Sequence, residues 1–271
     1  MLRTLLLAIA IAIATSASAQ QTDRQQTTDQ PPPDAPWVKA QAVLDATDPD
    51  ARKNGYQGIA SHVNDLEQAL ANGKASFAPP PPGNGPVFAL ADGPEESLYM
   101  MLKAASDQDA GAPKRDVHAV HNPYPEIALY LGDYYDEVGR FGDALRALDL
   151  GLSLTALPGK PLGKTRPYLL SERGAALSQL KRWDDALANY DDALKQAKMD
   201  DEVHARLLRG RGFVLTELNR LDDAEDSYNQ SLKIEPGNPR ALAELKYIAS
   251  LRAGAAKAPS GGLTPIQPPK Q

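Results

Sequence analysis

One pattern occurs three times between Pro125 and Ala253, and it constrains the fold more than any other feature of the sequence. Each copy contains an Arg-apolar-x-Asp-Ala segment, with a glycine twelve residues before the alanine and a leucine eight residues after it. The glycines are Gly132, Gly174 and Gly212, which lie 42 and then 38 residues apart. A regular spacing of this length is typical of arrays in which each repeat is one pair of helices.

The apolar residues within each copy have the period of an α-helix. The first run of the first copy holds Ile127, Leu131, Tyr134, Tyr135 and Val138, a spacing that places them on one face of a helix. A short polar turn and a second apolar run follow in every copy. The second run opens with an acidic residue, which suits a helix cap and the positive end of a helix; these residues are Asp143, Asp184 and Asp222. Each copy is therefore predicted to be a helix–turn–helix hairpin that must stack on a neighbour to bury its apolar face.

These landmarks resemble those of the tetratricopeptide repeat. The third copy carries the most of them, namely Gly212, Leu215, Ala224, Tyr228 and Pro236. The resemblance implies an all-α fold, a right-handed superhelix of about three helix-turn-helix units. The units are predicted at about residues 125–158, 167–200 and 205–238, with a capping helix at 239–253.

The resemblance also implies a groove lined by the first helix of each unit. The family positions that face this groove predict an acidic N-terminal end and a basic, aromatic C-terminal end, suited to orienting a peptide of another protein. An ordinary solvated face is the alternative. The candidate protein-binding residues are Asp133, Asp136, Glu137, Tyr168, Arg206, Arg209, Phe213, Arg240 and Tyr247.

One subtype of the family clamps a C-terminal carboxylate with lysine, asparagine and arginine side chains at five positions. The matching positions here hold Leu129, Asp133, Glu172, Arg206 and Gly210, and only Arg206 keeps the expected charge. The sequence therefore does not favour clamping of a chaperone tail.

The N-terminus has the features of a cleavable secretory signal. Arg3 precedes an apolar run at residues 5–14, and Ala17-Ser18-Ala19 supplies small residues for cleavage after Ala19. The apolar run is too short to span a membrane. We expect an exported, bacterial-type protein that is periplasmic or secreted. With no cysteine in the chain, disulfides and thiol catalysis are excluded.

Outside the repeats the composition predicts a less regular organisation. Residues 20–36 are expected to be a disordered leader and residues 254–271 a disordered tail. Residues 37–106 are predicted to be a divergent helical region, interrupted at 77–86 by a proline-rich linker. Within this region residues 95–106 have the spacing of a short amphipathic helix, with Leu98, Met101 and Leu102 on one face.

No catalytic, cofactor-binding or metal-binding residue is predicted. His118 and His121 invite comparison with a metal site, but prolines separate them from the carboxylates that follow, and a solvated loop is the simpler interpretation. Removal of the signal peptide leaves a net charge of about −7, which disfavours nucleic acid and anionic lipid as principal partners.

The function expected from these features is a non-enzymatic adaptor or scaffold that binds another protein of the cell envelope. Two alternatives remain open at this stage. The chain could associate with itself through an exposed end of the array, or it could be the accessory subunit of an envelope enzyme.

Overall fold

The structure is a computed structural model that describes residues 30–80, 85–155, 163–195 and 199–257. The predicted signal peptide, most of the predicted leader and residues 258–271 of the predicted tail lie outside the described residues.

The described chain begins with three helices and a 3₁₀ turn. They are α1 (Pro36–Asn54), α2 (Tyr56–Ala60), α3 (Val63–Ala71) and the turn Gly73–Phe77. Gly55 separates α1 from α2 at φ +57°, a left-handed conformation that glycine adopts without strain. Leu44, Ile59, Leu66 and Leu70 are buried, so these helices share the core of the repeats that follow.

A β-α-β unit that the sequence analysis does not anticipate connects these helices to the repeats. It consists of β1 (Val87–Ala91), α4 (Pro94–Asp109) and β2 (Val117–His121). The strands are parallel, with register from Val87 opposite Val117 to Ala91 opposite His121, and the helix supplies the crossover that parallel strands require. The helix at 95–106 is thus confirmed in position, while the interpretation of residues 37–106 as a helical region with a proline-rich linker misses β1.

Three helical pairs and a final helix make up the rest of the fold, which confirms the predicted all-α helical-repeat array. The pairs are α5 (Tyr124–Glu137) with α6 (Phe141–Ser153), α7 (Arg166–Gln179) with α8 (Trp183–Leu194), and α9 (Asp201–Glu217) with α10 (Leu221–Ile234). The final helix is α11 (Pro239–Arg252), and it packs on α10 and α9.

The repeated glycines lie where the two helices of each pair approach most closely. A β-carbon on Gly132 would lie 2.9 Å from Leu148, one on Gly174 2.5 Å from Tyr190, and one on Gly212 2.9 Å from Tyr228. In every pair the partner is sixteen residues further along the chain. These matching environments are what the repeat pattern predicts.

The turns between paired helices also repeat in detail. The residues Gly139, Lys181 and Asn219 occupy equivalent places and all have positive φ, at 75°, 57° and 59°. The next residue in each turn donates its N–H five residues back, closing the end of the first helix in the manner of a Schellman motif; the donors are Arg140, Arg182 and Arg220.

The prediction that acidic side chains cap the second helices is wrong. The cap positions are held by arginines, and no side chain there accepts a hydrogen bond from the helix. The acidic residues lie within the first turn, where their charge meets the positive helix end. Each cap arginine pairs with the aspartate three residues after it, as Arg220 Nη2 does with Asp223 at 2.7 Å; the other aspartates in such pairs are Asp143 and Asp185.

Candidate protein-binding surface

The first helices of the three pairs lie side by side. Helix α7 contacts both α5 and α9, so the three helices form one continuous surface, which we call the first-helix face. The groove predicted from the sequence would be formed by this face. It carries all of the candidate residues except Arg240 and Tyr247, which lie on α11.

Four carboxylates meet at the N-terminal end of the first-helix face. Asp133, Asp136 and Glu137 lie on α5 and Glu172 lies on α7, and we call this group the acidic cluster. Arg206 of α9 reaches the cluster, and its Nη2 lies 2.5 Å from Oε1 of Glu172. The fold therefore gathers residues that are more than seventy positions apart in the sequence.

Burial and neighbouring like charges both affect the carboxylates of the acidic cluster. Burial raises the pKa of Asp136 to about 6, helped by Glu172, Glu137 and Asp133 and opposed by Arg206. One carboxylate oxygen of Asp136 is buried and has no hydrogen-bond partner.

The other members of the acidic cluster are affected in the same direction. Loss of contact with water raises the pKa of Asp133, although Arg206 opposes the change. Burial likewise raises the pKa of Glu137 and of Glu172. A cationic group from outside would lower the energy of all four carboxylates.

The C-terminal end of the first-helix face is less available than the sequence suggests. The guanidinium of Arg209 lies 2.5 Å from Glu235, at the end of α10. The ring of Phe213 packs edge-on against Trp183, with centroids 6.1 Å apart. The expected basic, aromatic end is therefore largely occupied by contacts within the array.

Tyr168 lies at the start of α7, beside a cleft of about 320 Å³. Its hydroxyl donates a hydrogen bond to Asp200 at 2.6 Å, and this bond, with burial, raises the pKa of Tyr168 to about 12. Lys164 and Met199 also line the cleft. Tyr168 is thus held in one orientation at the edge of the first-helix face.

The two candidates on α11 are placed differently. Arg240 is exposed near the start of the helix, and Tyr247 is half-buried two turns later. Nearby Glu244 is a residue that the sequence analysis does not single out; burial and the charge of Glu217 raise its pKa.

Glu172 is a residue of the candidate surface that the sequence did not indicate as a binding residue. In the sequence it stands out only as a mismatch to a carboxylate clamp. In the structure it pairs with Arg206, and the space beside Gly210 is filled by the ring of Tyr190, 2.5 Å from where a β-carbon would lie. The clamp positions therefore present no free cation for a carboxylate.

The histidines considered for a metal site lie on β2, away from the acidic cluster. His121 contacts Gln41 at 2.7 Å and Glu126 at 3.5 Å. Among the residues that the structure describes, no three histidine or acidic side chains are placed to hold a metal ion. None of the described helices is both long and apolar enough to cross a membrane.

Comparison with known proteins agrees with the geometry of the helical pairs. Residues 166–235 match the family model of the tetratricopeptide repeat. This region covers the second and third pairs and includes Glu172, Arg206 and Arg209. No curated protein matches the chain closely enough to count as a relative.

Several solved structures resemble the chain at low identity. The first tetratricopeptide domain of human RPAP3 is 23% identical, covers 48% of this chain and 94% of its own, and has a TM-score of 0.41. The tetratricopeptide domain of Arabidopsis OM64 is 16% identical and covers 47% of this chain and 96% of its own, also with a TM-score of 0.41. YrrB, described as a tetratricopeptide protein with an unusual peptide-binding site, is 16% identical, covers 76% of this chain and 99% of its own, and has a TM-score of 0.38. At these values the matches carry no information on what this chain binds.

Proposed function

We propose that this chain is an exported, non-catalytic protein-binding module, and that its first-helix face binds an extended, basic segment of another protein. The observation that carries the proposal is the acidic cluster on the adjoining helices α5 and α7. Three of the four carboxylates, Asp133, Asp136 and Glu172, interact with Arg206, and the pKa of every carboxylate in the cluster is raised, first by burial. A lysine or arginine from a partner would stabilise the ionised form of these carboxylates.

The helical-repeat fold favours a peptide or protein as the partner. Stacked helical pairs create an extended surface that a small molecule would not fill. The first-helix face is acidic at its N-terminal end, so we propose a partner of the opposite charge.

Export rests on the sequence of residues 1–19. The cell envelope or the medium is accordingly the proposed location, and an adaptor or scaffold the proposed role. N-terminal sequencing of the protein recovered from the periplasm or the medium checks this part separately. A chain that begins at Gln20 supports export, while one that retains Met1 in the cytoplasm opposes it.

The binding proposal is tested with a fluorescein-labelled peptide of alternating lysine and serine, titrated into the purified protein. The test variant carries Asp133→Asn with Glu137→Gln, which neutralises two exposed or half-exposed carboxylates and keeps their size. The control variant carries Asp184→Asn with Asp226→Asn, two exposed carboxylates on α8 and α10. Both variants change the net charge equally.

We expect the test variant to bind the peptide about three- to tenfold more weakly than the unchanged protein, and the control variant to bind it about equally. Affinity is also expected to fall as salt is added, since the attraction is electrostatic. Equal weakening in both variants would show that only the overall charge matters. If neither variant binds the peptide more weakly, the first-helix face is not the binding site.

A further inference from the structure

Helix α4 packs against the sheet with its less apolar face. The residues turned inward are spaced at three or four positions and are partly or fully buried; they are Glu96, Ser97, Met100, Ala104 and Gln108. The residues turned outward include Leu98, Tyr99, Met101 and Leu102, which remain 58%, 39%, 52% and 62% exposed. A surface helix normally places its apolar side chains the other way round.

The exposed apolar side chains of the described chain are concentrated here. Eight large apolar residues are exposed in the parts of the chain that the structure describes, and four of them lie in one five-residue stretch of α4. Single exposed leucines are ordinary, but a contiguous apolar patch on one helix marks a surface that another molecule covers. We call these four residues the α4 patch.

The charge around the α4 patch distinguishes between possible occupants. On its exposed side the helix holds three acidic residues, Glu95, Asp107 and Asp109, against one lysine, and Lys103 is paired with Asp107 at 2.5 Å. A second α4 from another copy would bring two acidic helices together, and an anionic bilayer would be repelled in the same way. A helix with apolar residues in the middle and basic residues along its borders meets neither difficulty.

We propose that the α4 patch is a docking site for an amphipathic helix of another protein, with an apolar stripe bordered by lysine or arginine. Leu98, Met101 and Leu102 have the spacing of one ridge, into which the side chains of a partner helix would pack. This site lies on the β-α-β unit and does not depend on the first-helix face. The protein would then bind through two separate surfaces.

The size of the α4 patch sets the expected affinity. It offers on the order of a few hundred Å², which is less than the roughly 800 Å² per partner of a stable interface. An isolated helical peptide should therefore bind only in the micromolar range. A whole partner protein would need additional contacts to bind more tightly.

The test uses a fluorescein-labelled synthetic peptide of about five helical turns, with leucines at helical spacing and lysines on both borders. A matched peptide carries glutamate in place of lysine. The peptides are titrated into the purified protein, a Leu98→Ser/Leu102→Ser variant and a Leu180→Ser/Leu242→Ser control. The control leucines are 39% and 42% exposed on other helices. Because all four leucines are exposed, folding should be retained, and circular dichroism verifies this.

We expect the lysine-bordered peptide to bind the control variant as it binds the unchanged protein, and to bind the Leu98→Ser/Leu102→Ser variant at least about tenfold more weakly. The glutamate-bordered peptide should also bind at least about tenfold more weakly. Equal binding to both variants, or no preference for lysine, would overturn the proposal.

Two further measurements identify other occupants. If light scattering shows oligomers that Leu98→Ser/Leu102→Ser converts to monomers, the α4 patch contacts a second copy and the proposal fails. If vesicles containing phosphatidylserine bind the unchanged protein but not this variant, the patch contacts lipid and the proposal also fails. A monomer that does not bind vesicles, together with the peptide preference above, supports it.

Discussion

Replacing Asp136 by asparagine should make the folded protein more stable at neutral pH. The pKa of Asp136 rises from its usual 3.8 to about 6 because the carboxylate is buried beside Glu172. The folded state therefore holds this proton more tightly than the unfolded state. The resulting stabilisation is fully present below about pH 4 and is lost as the pH rises through 6. Asparagine removes the charge and keeps the shape of the side chain.

The expected gain follows from the difference between the two pKa values. That difference corresponds to about 3 kcal/mol if Asp136 is fully ionised at pH 7.5. Asp136 is partly exposed and is coupled to the rest of the acidic cluster, so solvent screening reduces the effect to about 1–2 kcal/mol. The same variant also leaves one fewer negative charge beside Glu172, which is part of this gain.

The measurement is urea unfolding followed by circular dichroism at pH 7.5 and at pH 3.5 for the unchanged protein, Asp136→Asn and a control, Asp226→Asn. Asp226 is exposed on α10, away from the acidic cluster. Asp136→Asn should raise the free energy of unfolding by about 1–2 kcal/mol at pH 7.5 and by much less at pH 3.5. A loss of stability at pH 7.5, or the same gain at both pH values, would refute the reasoning.

Three further substitutions test other parts of the structure. Gly210→Ala should destabilise the protein by about 1–3 kcal/mol in thermal unfolding, because the new β-carbon would lie 2.5 Å from the Tyr190 ring. Gly142→Ala is the matched control: no neighbouring atom would lie closer than 3.9 Å to its β-carbon, so this variant should be neutral or stabilising. Lys181→Gly should raise the free energy of unfolding in urea by about 0.5–1 kcal/mol, since φ at this position is 57° and glycine adopts that conformation without strain. A lower free energy of unfolding would mean that Lys181 does not have this left-handed conformation. Asp92→Ala should lower the free energy of unfolding by about 2–4 kcal/mol in the same assay, because this buried carboxylate accepts two hydrogen bonds from Thr165, the residue before α7. An unchanged unfolding midpoint would contradict those hydrogen bonds.

The repeat array could be predicted because its signal lies within each copy. Gly174 and Tyr190 recur in register with their counterparts, and the structural reason is the close approach of two helices at that point. Local spacing of this kind is visible in a sequence, since it depends on residues only sixteen positions apart.

The β-α-β unit could not be predicted in the same way. Its strands are only five residues long, and β1 follows a run of prolines that is more typical of a linker. The pairing of Val87 with Val117 joins residues thirty positions apart and has no local signal. Helix α4 was recognisable from its period, but not the direction in which its apolar face points.

That the candidate residues bind a partner stays a prediction; the sequence indicated which helices carry them better than it indicated the contacts they make. The family resemblance placed Asp133 and Asp136 on the same face, and the structure brings them together with Arg206. The ion pair between Arg206 and Glu172 joins two different repeats, as does the contact of Phe213 with Trp183. Such contacts depend on how repeats stack, so the sequence overstates the basic character of the C-terminal end.

The stacking of the second and third pairs is tested most directly by nuclear Overhauser contacts to the ring of Tyr190. This ring lies between Gly174 of its own pair and Gly210 of the next one, 2.5 Å from the place of a β-carbon on each. We expect cross-peaks from the α-protons of both glycines to the ring. A cross-peak to Gly174 alone would mean that the pairs form but do not stack as described, and a cross-peak to neither would contradict the helical-repeat array itself.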